Sequence, residues 1–146
     1  MSNEANEFHV DMPESPLPQL TPAQARVFAC LVEKHLATPN SYPLTVNSLI
    51  TACNQKTNRQ PVMALTEGEV SRACNELVEL ELARIEYGSR ANKITHTAMR
   101  ALNMNREQIA VLAILMLREP LTLSEIKART DKMVAFDSVE KVQELV

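Results

Sequence analysis

Glycine is nearly missing: 146 residues contain Gly68 and Gly88 and no others. Chains that turn tightly many times lean on glycine for positive φ. A sandwich or barrel is therefore disfavoured, and helices are the better expectation. The same scarcity excludes a phosphate-cradling glycine loop or a dinucleotide fingerprint. Aromatics are few, with three Phe, two Tyr and no Trp, so Leu, Val, Ile, Met and Ala must fill the core from a 45% apolar share. No stretch approaches the ~18 uninterrupted apolar residues of a membrane-crossing helix, and the N-terminus lacks a basic start and an apolar block. Cys30, Cys53 and Cys74 are odd in number and form no CxxC pair, the pattern of reduced, buried thiols in a cytoplasmic protein. With His9, His35 and His96 they show no ligand spacing for a metal. No nucleophile–base arrangement and no HExxH is present. The expectation is a non-enzymatic chain with no cofactor, no metal, no membrane partner and no small-molecule substrate.

Charge is unevenly spread over the net −3. Residues 1–20 hold Glu4, Glu7, Asp11 and Glu14 and no Lys or Arg, a local −4. The other 126 residues hold 15 basic groups against 18 − 4 = 14 acidic ones, a net +1. The acidity belongs to a Pro-containing leader, MSNEANEFHVDMPESPLPQ, so residues 1–19 read as an acidic flexible tail.

Beyond the leader, one unit occurs twice. QARVFACLVEK (24–34) resembles QIAVLAILMLR (108–118), PLTVNSLI (43–50) resembles PLTLSEIK (120–127), and ACNELV (73–78) resembles KVQELV (141–146). Each block has helix grammar. Thr21-Pro22-Ala23-Gln24 offers a capping box with Pro at the first helical position. Ala25, Phe28, Leu31, Val32 and Leu36 then recur at helical spacing. Thr45 caps a second helix carrying Val46, Leu49, Ile50 and Cys53. Thr66 with Glu69 caps a third, whose buried stripe is Val70, Ala73, Cys74, Leu77 and Leu80. Asn105, Thr122 and Asp137 are the corresponding caps of the second unit.

After the third helix, LARIEY alternates as a short half-buried strand, Gly88 supplies a turn, and Lys93 to Thr97 return as its partner. Three helices and a two-stranded hairpin make the plan of a winged helix, in which the second and third helices form a helix-turn-helix and the hairpin is the wing. The fold expected is mainly α with a small β-hairpin wing, in tandem: a first unit over 20–98 and a second, of three helices only, over 99–146. The second unit stops at Val146, which aligns with Val78, so its wing is missing; either the chain is truncated, which is the expectation, or something else covers that face of the core. Helix 105–117 is apolar almost all round, so it is expected to be buried on several sides, between the units or in a homodimer interface.

The polar run TACNQKTNRQPVM (51–63) is wedged between the second and third helices. Preceded by TPNSYPLTVNSLI and followed by LTEGEV, it closely resembles the YceH family of bacterial proteins. ARVFACLVEK, GSRANK, LMLREP and the 128–136 stretch ARTDKMVAF fit the same pattern, so the resemblance spans roughly residues 20–146. It implies tandem winged-helix domains of no established biochemical role. This chain departs at its end, where family members continue through a further helix and wing.

Two readings of the polar run stay open. Lys56 and Arg59 reach phosphates while Asn and Gln amides touch backbone or base edges. Alternatively Asn54 and Asn58 close turns and cap helix ends, and Pro61, Val62, Met63 and Leu65 pin the loop to the core. The third helix presents Glu67, Glu69, Ser71, Arg72, Asn75, Glu76 and Glu79, four acids to one base. Phosphates repel such a face, and Arg72 and Asn75 are its candidates for base contact. From Arg84 to Arg106 the balance reverses, with Arg84, Arg90, Lys93, Arg100 and Arg106 against Glu86. A basic wing of this kind can follow the minor groove or the backbone; the equal alternative is a solvated loop kept soluble by its charges. The candidate DNA-binding set is therefore Lys56, Arg59, Arg72, Asn75, Arg90 and Lys93. The partner expected is double-stranded DNA, in a transcription-regulating role. The rival reading is a module that uses the fold to bind protein or to dimerise.

Overall fold

The computed structural model describes residues 19–118, 122–131, 133–134, 136 and 138–145. The chain is mainly helical with a small two-stranded antiparallel sheet. Its elements are α1 (Pro22–Ala37), α2 (Val46–Cys53), α3 (Glu67–Glu79), β1 (Ala83–Glu86), β2 (Lys93–His96), α4 (Ala98–Ala101), α5 (Arg106–Leu117), α6 (Leu123–Thr130) and α7 (Val139–Leu145).

Capping decides where the helices start. The Gln24 amide donates to Thr21 Oγ1 at 3.2 Å and the Thr21 amide donates to Gln24 Oε1 at 3.1 Å. Thr66 with Glu69, Asn105 with Gln108 and Thr122 with Glu125 close the same reciprocal box. Such a cap satisfies amides that the helix leaves without partners and is worth about 1 kcal/mol. Asp137 and the acidic leader over residues 1–18 lie outside the described residues.

Helix α1 is the axis of the core. Val27 through Val32 are all buried, and α1 packs against α2, α3 and α5. From α3 come Val70, Ala73, Cys74 and Leu77. Leu80, expected in that stripe, is instead 40% exposed; it sits at the C-cap, where the chain is already leaving the helix. Helix α5 is buried on two sides. Ile109, Ala110, Ala113, Ile114 and Leu117 join the main core, while Val111 packs with Ile126, Phe136 and Val142 in a smaller cluster. Most of the apolar circumference of 105–117 is used this way, between α1 on one side and α6 and α7 on the other, while Leu115 is left 40% exposed.

The hairpin pairs Ala83 with His96, Arg84 with Thr95, Ile85 with Ile94 and Glu86 with Lys93. Period-2 alternation turns Ala83, Ile94 and His96 inward and leaves Arg84, Glu86 and Lys93 outside. Leu44 bridges β2 from its other edge, its amide and carbonyl bonding Ile94 at 3.1 and 2.6 Å. Gly88 has a clear reason to be glycine, since a Cβ there would meet the Ala91 carbonyl oxygen at 2.7 Å. Among the described residues no helix is long and apolar enough to cross a membrane.

Candidate nucleic-acid interface

Residues 54–66, between α2 and α3, form a strap. Arg59 lies across the end of α2 with its side chain wholly buried. Its Nε donates to the Ala52 carbonyl at 3.0 Å, and Nη1 to the Asn58 carbonyl at 2.8 Å. Nη1 and Nη2 also grip the Glu33 carboxylate of α1 at 3.1 and 2.6 Å. From the α1 side Arg26, 2% exposed, donates to the carbonyls of Cys53 at 2.8 Å and Pro61 at 2.6 Å. Ala52 and Cys53 end α2, so the two guanidinium groups satisfy carbonyls that the helix leaves orphaned and meet the negative end of its dipole. Burial works against the Arg59 charge, and the bonds and attraction of Glu33 outweigh it, holding its pKa above the ordinary value. Arg26 has burial as its main influence, which lowers its pKa.

The strap is tied at both ends and to α5 and α6. Asn54 caps α2 and reaches across eleven residues to Leu65, donating to its carbonyl at 2.9 Å and accepting from its amide at 2.8 Å. Asn58 takes the left-handed conformation (φ 57°), which Asn tolerates better than most residues, and its Oδ1 accepts from Arg129 at 2.8 Å. The Gln60 amide donates to the Leu117 carbonyl at 2.8 Å. Val62, expected to pin the loop, is 54% exposed; hydrogen bonds, more than apolar packing, hold the segment.

Arg59 therefore leaves the candidate set, because its donors are already used inside the protein. Lys56, Arg72, Asn75, Arg90 and Lys93 are exposed. They lie on three elements: the strap, α3 and the hairpin tip. Arg72 bonds Glu76 at 3.2 Å along the α3 surface. Glu76 also accepts from Gln24 at 2.9 Å, and these two donors, Gln24 first, hold its carboxyl below the usual range. Glu67, Glu69 and Glu79 are exposed on the same helix.

The hairpin tip is different. Tyr87 is 80% exposed, and Arg90 and Lys93, further along the same hairpin, are exposed as well. Among the described residues no ion pair engages Arg84, Arg90, Lys93 or Arg100. The foot of the hairpin, by contrast, is packed. Tyr42 stacks on His35 with centroids 4.6 Å apart, and its hydroxyl meets Thr95 Oγ1 and accepts from the His96 amide, both at 2.7 Å. Burial, and then His35, push His96 down to about 4. Sequence reasoning missed Arg26, Glu33 and this His–Tyr cluster. For the first two a signal existed: Arg26, Cys30 and Glu33 stand one and two turns apart on a single face of α1, between residues that are otherwise core.

The thiols are buried and unpaired. The neighbouring Cys30 thiol, and then burial, raise Cys53; burial pushes Cys74 up to about 11. Among the described residues no group of His, Cys, Asp and Glu is placed to hold a metal ion.

Comparison with known proteins gives a family. The family described as "Protein of unknown function, DUF480" matches residues 20–146. A UPF0502 protein of Cellvibrio japonicus is 46% identical over 132 residues, covering 90% of this chain and 61% of the relative. A UPF0502 protein of Pseudomonas aeruginosa is 43% identical over 143 residues, covering 98% and 62%. One of Xanthomonas campestris is 44% identical over 128 residues, covering 88% and 58%. The chain thus spans roughly three fifths of the length of these relatives. It belongs to the DUF480 family of bacterial proteins, the same family as the YceH proteins that its polar run resembles.

Proposed function

We propose that this member of the DUF480 family is a non-enzymatic, cytoplasmic protein of tandem winged-helix design that binds duplex DNA. The first unit, residues 20–98, meets the phosphate backbone with its hairpin. The observation that carries the reading is the tip, where Tyr87, Arg90 and Lys93 are exposed and, among the described residues, no ion pair engages Arg90 or Lys93. Exposed cations and an exposed aromatic on one hairpin suit a backbone or minor-groove contact. The acids of α3 limit base reading, and Arg72 shares its charge with Glu76 through Nε. Affinity then comes mostly from phosphate contacts, and sequence preference from Arg72 and Asn75 is small. Regulation of transcription is the role such binding would serve.

The test is fluorescence anisotropy with mixed-sequence duplex from low to physiological salt. Each phosphate contact contributes about −0.9 to the slope of log affinity against log salt, so Arg90→Ala/Lys93→Ala should flatten it by about 1.8. No binding at low salt sinks the reading. A second reading, a protein-interaction module, is favoured by the acidic α3 face and by Leu80, exposed over an open groove of about 620 Å³ between the end of α3, β1 and α4. Self-association seen by analytical ultracentrifugation, with no DNA binding, would select it.

A further inference from the structure

At the foot of the hairpin a recess of about 240 Å³ is lined by His35, Arg84, His96, Thr97, Met99 and Arg100. Two arginines are among its lining residues and no Asp or Glu is. Glu86 stands on β1 two residues from Arg84, and Glu81 lines the neighbouring groove rather than this one. Thr97 is already committed, its hydroxyl donating to the Glu81 carbonyl at 2.7 Å.

The two imidazoles have fixed roles. The Ala98 amide donates to His96 Nδ1 at 3.0 Å. A neutral ring that accepts at Nδ1 carries its proton on Nε2. His96 Nε2 lies 2.9 Å from His35 Nδ1, so it donates there. His35 Nδ1 is then an acceptor, and the His35 proton must sit on Nε2. That N–H has no partner among the described residues and is not sealed from solvent. Burial, and then Arg106, hold His35 below the ordinary imidazole value, which keeps the ring neutral and this tautomer in place near pH 7. Stacking on Tyr42 and the bond from His96 fix the ring's orientation. One backbone amide at the start of α4 thus sets a donor on α1 through a two-ring relay.

We infer that this recess binds the oxyanion headgroup of a small molecule, a phosphate or a carboxylate, held by Arg84, Arg100 and the Nε2–H of His35. Guanidinium groups are the side chains best matched to planar or tetrahedral oxyanions. The volume falls below the ~300 Å³ at which drug-sized ligands begin, so the site takes a headgroup and a few carbons. Met99, 39% exposed, gives the carbons an apolar lip. The site is separate from the DNA contact proposed above, which rests on Tyr87, Arg90 and Lys93.

The experiment is an NMR titration of the full chain, following the His35 imidazole with inorganic phosphate, with acetate, and with chloride at matched ionic strength. A saturable His35 shift with phosphate or acetate and not with chloride supports the site, and whichever anion saturates first assigns the headgroup class. Arg84→Gln/Arg100→Gln should weaken that binding by tenfold or more, roughly one charge-assisted hydrogen bond, with amide shifts elsewhere unchanged. Arg90→Ala/Lys93→Ala should leave it within about twofold, because distant sites act independently. A drift in phosphate and acetate that never saturates, or that chloride reproduces, overturns the inference. So does saturation that Arg84→Gln/Arg100→Gln leaves intact. The readout involves no nucleic acid, so the DNA reading can fail while the recess binds its anion, and the reverse.

Discussion

The strap over residues 54–66 and the hairpin tip over 87–93 are both polar and both carry arginine; the first joins two helices and the second is where β1 turns back into β2. In the strap Arg59 ends against two backbone carbonyls and the Glu33 carboxylate, with no side-chain surface left to solvent. In the tip Arg90, Lys93 and Tyr87 are all exposed. What separates the two is supply: α2 ends with orphaned carbonyls and α1 offers Glu33 one turn from Cys30, so a guanidinium in the strap has partners waiting. Nothing comparable among the described residues stands over the tip. A charge run is therefore structural or free according to which helix ends and counter-charges surround it, and its own composition does not say.

The largest effect expected from that difference is at Glu33. Removing it strands a buried guanidinium, and breaking a buried pair from one side costs about 3–5 kcal/mol. Glu33→Ala should lower the urea midpoint accordingly, and Glu33→Leu/Arg59→Met should recover most of the loss, because no uncompensated charge is left behind. A Glu33→Ala cost below about 1 kcal/mol, the range of exposed pairs, would break the comparison by making the strap as loose as a surface loop.

Much of this was legible in the residues. Capping boxes at Thr21 and Thr66 announce themselves by residue type and spacing, so helix starts could be read before any packing was known. Gly88 and the alternation after Leu82 marked the hairpin. Membership of the family was carried by the polar run itself, whose residue order is chemically unusual. The direction in which Arg59 points was hidden, because it depends on Glu33 twenty-six residues earlier and on a helix end seven residues earlier. Tyr42, His35 and His96 were equally hidden, since three separate segments of the chain bring them together. Single-residue exposure at element ends, as at Leu80 and Val62, also escaped, because periodicity does not say where the chain turns away.

A middle-sized effect is expected at the foot of the hairpin. His96 has a folded-state pKa of about 4 against an ordinary 6.5, so between these values the unfolded chain binds more protons than the folded one. Stability then rises with pH through this window and is progressively lost as pH falls from 6.5 towards 4. The full span is worth about 3 kcal/mol at 1.36 kcal/mol per unit. His35, lowered in the same direction, acts in the same sense. Urea midpoints at pH 7 and pH 4.5 should differ, and His96→Gln should flatten most of that difference. An unchanged wild-type midpoint would mean that the foot is as open to water as the tip.

The smallest effect on stability belongs to the tip. Tyr87→Ser/Arg90→Ala/Lys93→Ala touches no cap, no ion pair among the described residues and no core position. Surface substitutions of that kind are close to neutral, so the urea midpoint should not move. A measurable loss would mean that the tip packs against something in the folded chain, and the contrast with the strap would then be one of degree. An unmoved midpoint together with lost duplex binding would separate fold from function cleanly. The strap would hold the first three helices in register so that the hairpin stands at a fixed angle, and the tip, free of structural duty, would be the part that meets the partner.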